Sequence, residues 1–102
     1  MAKLVALYNP PADPAAFDAY YESRHIALAK TIPGLRAVQI STGPVMTPAG
    51  PAPYHLVGLL SFDSMQALQA GLASAEGQAT AADLANFASG GVTLLVFEDK
   101  SL

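Results

Sequence analysis

Apolar residues fall in short blocks along the chain, and their spacing differs from block to block. Lys3–Tyr8 is short and apolar and is closed by Asn9-Pro10-Pro11, which predicts a first strand. Asp13 before Pro14 predicts an N-cap followed by proline at the first helical position. Phe17, Tyr21, Arg24, Leu28 and Ile32 then recur at intervals of four, three, four and four. That is the stripe of one helix face, over about Pro14 to Lys30. Pro33-Gly34 ends this helix. Leu35–Thr42, with β-branched Val38, Ile40 and Thr42, predicts a second strand. Gly43–Pro53 holds four prolines and two glycines and reads as a loop. Tyr54–Phe62 carries the strongest strand signal. Asp63 is expected to cap the next helix, with Gln66 completing a capping box and Met65, Leu68 and Leu72 as its buried stripe. Ser74 is expected to cap a last helix, with Leu84, Phe87 and Ala88 facing inward and Gly90-Gly91 ending it. Val92–Phe97 reads as the last strand, followed by a polar tail.

The order is β-α-β-β-α-β with the second helical region divided, the split βαβ or ferredoxin-like pattern of the α+β class. Residues 1–102 form one domain. An antiparallel sheet with one wet face alternates apolar and polar residues. These strands do not. Leu56, Leu60 and Phe62 oppose Val57 and Leu59, Val92, Leu94 and Val96 oppose Leu95 and Phe97, and Leu4 and Ala6 oppose Val5 and Leu7. The helices can cover one face. The other is expected to meet the same face of a second copy across a two-fold axis. The resulting homodimer is a dimeric α/β barrel, with a small-molecule pocket between helices and sheet or near the barrel mouths.

Composition narrows the function classes. Hydrophobic residues make up 52% of the chain and charged residues 13%, which excludes disorder. The absence of Cys excludes disulfides and a Cys-ligated zinc site. A net charge of −3, with five scattered basic residues, leaves little to drive binding to nucleic acid or an anionic membrane. No apolar run approaches the roughly 20 residues needed to cross a bilayer, and the first is too short for a signal-peptide core. The expected location is cytoplasmic. No Walker-type loop or Gly-x-Ser-x-Gly elbow is present. His25 and His55 are the two histidines, and no third ligand is spaced to complete a metal site with them. Neither a metal nor haem is expected, nor any other cofactor.

The densest polar and aromatic cluster lies on the first helix: Phe17, Tyr20, Tyr21, Glu22, Arg24 and His25. His25 falls at the edge of the buried stripe, where an imidazole serves as general acid or base or is simply satisfied at the boundary. Tyr20 and Tyr21 point about 100° apart, and either one is placed to hydrogen-bond a substrate oxygen or to pack. Arg24 accompanies them as a candidate substrate contact. Tyr54 and His55 open the third strand and face the pocket, the dimer seam or solvent. Asp13 and Asp83 read as a helix cap and a solvated helix face.

The stretch Phe17-Asp18-Ala19-Tyr20-Tyr21-Glu22-Ser23-Arg24-His25-Ile26-Ala27-Leu28, followed by Ile32-Pro33-Gly34-Leu35, resembles the signature of the EthD family. Tyr54-His55-Leu56, leading into Ser61-Phe62-Asp63-Ser64-Met65-Gln66-Ala67-Leu68, resembles it too. The resemblance spans nearly the whole chain. It implies a dimeric α+β barrel and places the family's helix-one histidine on His25. One departure is Ala27, where the family usually has proline. Relatives on such barrels include monooxygenases, lactone isomerases, polyketide cyclases and dehydratases, and the fold does not choose among them. The expectation is therefore a cofactor-independent enzyme, an oxidoreductase or an isomerase, cyclase or dehydratase, acting on a small apolar oxygenated organic molecule. His25 and Tyr21 would be catalytic, with Tyr20, Arg24, Tyr54 and His55 contacting substrate. The alternative is a non-catalytic binder of a hydrophobic metabolite or an accessory to a partner oxygenase; a plain dimerisation module is a third reading.

Overall fold

The structure, a computed structural model, describes all 102 residues. Strand β1 (Ala2–Tyr8) leads into a helix built of three consecutive segments: α1 (Pro14–Tyr20), a π-helical turn (Tyr21–His25) and α2 (Ile26–Ala29). β2 (Leu35–Ile40) follows, then the two-residue strands β3 (Met46–Thr47) and β4 (Gly50–Pro51). The chain continues through β5 (Leu56–Phe62), α3 (Met65–Ala73), α4 (Ala75–Phe87) and β6 (Val92–Glu98). The main sheet has the order β2-β5-β1-β6, and every neighbouring pair is antiparallel. This is the ferredoxin-like βαββαβ arrangement the strand pattern predicts. The proline-rich segment is not bare loop: β3 and β4 pair as a small ribbon. No helix is long and apolar enough to cross a membrane.

Register explains the two-faced sheet. Leu4 lies opposite both Leu60 and Val96, and Val5 opposite both Leu59 and Leu95. The first set shares the helix-covered face, where Ala2, Leu4, Ala6, Tyr8, Leu56, Leu60 and Phe62 are all buried. The second set, with Leu7, Val57 and Phe97, lines the open face. Leu95 and Phe97 there are 50% and 43% exposed, a large apolar liability for a sheet.

The first helix departs from its predicted face at one point. Asp13 caps it through the Ala16 amide, at 3.1 Å, and Pro14 occupies the first turn, as expected. In the π turn the Ile26 amide bonds back to the Tyr21 carbonyl, five residues earlier. The extra residue in that turn advances the inward face by one position. The buried series becomes Phe17, Tyr21, His25 and Ala29, every fourth residue, instead of the 3.6-residue stripe through Arg24 and Leu28. Arg24 is consequently exposed. His25, expected at the edge, is 6% exposed. The π turn forms with Ala27, not proline, following it.

The second helical region is divided at Ser74, whose hydroxyl accepts from the Gly77 amide at 3.0 Å and so caps α4. The cap of α3 differs from expectation. Ser64 accepts from the Ala67 amide, while Asp63 is held by the Arg36 guanidinium fork through contacts of 3.0 and 2.8 Å. A bidentate charged partner offers a carboxylate more than one backbone amide does. Where α3 meets α4, a Cβ on Gly77 would overlap the Gly71 carbonyl oxygen, so glycine permits the close approach. With α4 seated there, Gly77, Thr80, Asp83 and Phe87 turn inward.

Candidate functional site

His25 and Asp83 meet between the first helix and α4. His25 Nδ1 lies 3.0 Å from Asp83 Oδ2, and the side chains are 8% and 6% exposed. The sequence pattern makes Asp83 a solvated helix residue, but its place in the inward series of α4 buries it. Asp83 Oδ1 accepts from the Tyr20 hydroxyl at 2.6 Å and from Asn86 Nδ2 at 3.0 Å. Phe87 packs against the imidazole at 4.6 Å between ring centroids, and Tyr21 lies 5.5 Å away on the same helix.

Burial and pairing set the protonation states. Burial pushes Asp83 up, but hydrogen bonds from Tyr20, Asn86 and His25 outweigh it and hold the carboxyl below its ordinary value. For His25, burial outweighs the attraction of Asp83 and holds the imidazole below 6.5. At neutral pH the pair is therefore a carboxylate beside a neutral imidazole. A carboxylate accepts only, so the imidazole proton sits on Nδ1 and the lone pair on Nε2. No protein group bonds Nε2, and no side-chain polar atom in the protein is both sealed and unpaired.

His25 lines a cavity of about 70 Å³ between helices and sheet, and its Nε2 is neither bonded nor sealed. Of its 15 lining residues 12 are hydrophobic, so a bound molecule meets chiefly hydrocarbon. Leu4 and Leu60 form its floor on the sheet, Ile26 and Leu84 contribute from the helices, and Leu94 comes from edge strand β6. Tyr8, Tyr21 and Thr80 are the other lining residues with polar side-chain atoms, and the Thr80 hydroxyl is taken up by the Glu76 carbonyl at 2.8 Å. Burial pushes Tyr21 up to about 12 and Tyr8 well above its ordinary value. Both stay protonated at neutral pH and can donate. Gly58 makes room for this arrangement: a Cβ there would lie 2.9 Å from the Tyr21 oxygen.

The structure thus brings His25 and Tyr21 together and separates the adjacent tyrosines. Tyr21 lines the cavity, whereas Tyr20 turns to Asp83 and stacks on Phe87. Arg24 lies outside the cavity. Tyr54 and His55 line a different, open cleft with Asp18, Glu22 and the proline-rich segment. There His55 Nε2 lies 2.7 Å from Asp18 Oδ1, and its ring meets Phe17 edge-on. The two histidines share no cavity, and no three His, Asp or Glu residues cluster as metal ligands. Sequence reasoning missed Asp83, Asn86 and Tyr8. A signal for Asp83 exists: Gly77, Thr80, Asp83 and Phe87 recur at three, three and four.

Residues 9–91 match the EthD domain. Over 102 residues the chain is 41% identical to an uncharacterized 11.0 kDa protein from the thcB-thcC intergenic region of Rhodococcus erythropolis, covering all of this chain and 98% of that one. The crystal structure of an ethyl tert-butyl ether d (EthD) family protein from Bacillus halodurans C-125 superposes with a TM-score of 0.89 at 34% identity, over 98% of this chain and 99% of that one. The fold alone is shared with SnoaB, a cofactor-independent oxygenase from Streptomyces nogalater, at a TM-score of 0.69 and 15% identity, over 99% and 94% of the chains. It is shared likewise with a dimeric ferredoxin-like protein from Thermobifida fusca YX, at 0.67 and 14%, over 94% and 88%. With the domain matched over residues 9–91 and close relatives aligned along the whole length, this chain belongs to the EthD family.

Proposed function

We propose that the protein is a homodimeric, cofactor-independent enzyme that moves a proton on a small, apolar, oxygenated organic molecule. The observation that carries this reading is the buried His25–Asp83 pair at the wall of an apolar cavity, with Nδ1 engaged and Nε2 left unbonded. Nε2 takes a proton from a substrate C–H or O–H. Asp83 keeps the tautomer and stabilises the imidazolium that forms. Tyr21, still protonated, donates to the substrate oxygen on which negative charge develops, with Tyr8 behind it. The proton then returns to a different atom, or the resulting carbanion reacts onward. Isomerisation, cyclisation, dehydration and oxidation by molecular oxygen all begin with this step, and SnoaB, on the same fold, is a cofactor-independent oxygenase.

The open sheet face supports the homodimer. Val5, Leu7, Leu59, Leu95 and Phe97 would be covered by the same residues of a second copy, closing a barrel. A Leu95→Asp substitution places a charge at the centre of that seam. Sedimentation should show a wild-type dimer and a variant monomer; a wild-type monomer rules the barrel out.

The alternative is a carrier, and the mainly hydrocarbon cavity lining is what favours it. Binding and turnover of a panel of small neutral ketones, phenols and lactones separate the two. For an enzyme, His25→Ala abolishes turnover and leaves affinity within about threefold. A carrier turns over nothing, with or without His25.

A further inference from the structure

We propose that Tyr20 and Asn86 are positioning residues of this site: together they hold one oxygen of Asp83, so that the other is presented to His25 Nδ1 and Nε2 stays unbonded. The inference rests on reading His25 as the base, but its test does not need a substrate.

A carboxylate has two equivalent oxygens and turns freely unless something fixes it. Here both additional donors converge on Oδ1, the Tyr20 hydroxyl at 2.6 Å and Asn86 Nδ2 at 3.0 Å, which leaves Oδ2 to His25 at 3.0 Å. The donors come from different elements. Tyr20 ends α1, and Asn86 lies three residues after Asp83 on α4, on the same side of that helix. The plane of the carboxylate is thus set by two helices at once. Tyr20 is itself clamped: its ring stacks on Phe87 at 5.5 Å and 22°, and Phe87 also packs on His25. Tyr20 does not line the cavity, so its hydroxyl is committed to Asp83.

This arrangement has a chemical consequence. Two donors on Oδ1 draw charge from the carboxylate, so Asp83 binds the Nδ1 proton without taking it. The groups that face the pair are Tyr20, Tyr21 and Arg24 from the first helix, Tyr8 from β1 and Asn86 from α4. Of these only Arg24 is charged at neutral pH; it is exposed and acts on Tyr20. Removing either donor leaves Asp83 freer to rotate and more basic. The more basic carboxylate then stabilises the imidazolium better, so His25 holds a proton more tightly and in a less fixed orientation.

The test is nitrogen NMR of the whole protein carrying labelled histidine, for wild type, Tyr20→Phe, Asn86→Ala and the double variant. In wild type at pH 8, His25 is expected as a single tautomer with a pyrrole-type Nδ1 and a pyridine-type Nε2. In the double variant the proton affinity of His25 should rise roughly tenfold, about the effect of one charge-assisted hydrogen bond, and its titration midpoint should move upward by about one pH unit. Asn86 is exposed, so Asn86→Ala alone provides the same readout if loss of the Tyr20 hydroxyl disturbs folding. A wild-type titration midpoint retained in every folded variant would overturn the proposal while leaving His25 as base. An Nε2–H tautomer in wild type would overturn both. Where turnover is measurable, the double variant should lower kcat about tenfold with KM within about twofold.

Discussion

The chain has two histidines, each paired with an aspartate, and each pair has one member on the first helix. His55 and Asp18 are 2.7 Å apart, closer than His25 and Asp83 at 3.0 Å. Yet the Asp18 side chain is 56% exposed and Asp83 only 6%. Distance therefore does not single out the pair we propose for chemistry. Surroundings do. Asp83 is saturated by Tyr20 and Asn86 and backed by Phe87, and its imidazole opens on hydrocarbon. The Asp18 pair stands in an open cleft beside Glu22, where water competes for both partners.

Substitution at the two histidines separates the pairs most sharply. His25→Ala should reduce turnover of any substrate by about 10²–10⁴-fold. His55→Ala should leave it within about twofold, and comparable losses in both would erase the distinction.

Stability is the next discriminator. Asp83→Ala strands the Nδ1–H of buried His25 and the Tyr20 hydroxyl, at a cost of about 1–3 kcal/mol in denaturant unfolding. Gly58→Ala should cost a similar amount, about 1–3 kcal/mol, because its Cβ displaces the Tyr21 hydroxyl from the cavity side of the network. Asp18→Ala should cost less than about 1 kcal/mol.

A smaller effect follows from pH. His25 is held below 6.5 in the folded protein, so as pH falls past 6.5 the unfolded chain takes up a proton that the native state refuses. This contribution to stability is complete above 6.5 and is lost between 6.5 and the lower folded value. Asp83 adds a second loss further down, below 3.8, as pH falls through its depressed folded value. Thermal unfolding should thus be flat above neutrality and decline below 6.5, and His25→Gln should remove the first decline. If the decline persists unchanged in that variant, it belongs to other groups.

Much of this was legible in the chain. The strand blocks, Pro33-Gly34 and Gly90-Gly91 give the βαββαβ order, and the opposed apolar sets of β1, β5 and β6 recur in the observed register. What a fixed 3.6-residue period could not reveal was the π turn. That single extra residue puts His25 in the interior and Arg24 in water. Asp83 was hidden for a related reason. An isolated acid on an alanine-rich helix reads as solvated, and only α4's seating against the first helix shows that its three donors converge there. Asp63 misled in the opposite way, because its partner Arg36 lies 27 residues away in sequence.

The central claim is that His25 performs proton transfer inside the cavity. Its most direct test is hydrogen–deuterium exchange at carbon, followed by mass spectrometry, on small enolisable apolar ketones incubated in D₂O with wild type and His25→Gln. The account predicts exchange at least about 100-fold above buffer for ketones that bind, lost in the variant while binding is kept. Bound ketones that exchange no faster with wild type than with His25→Gln would contradict it.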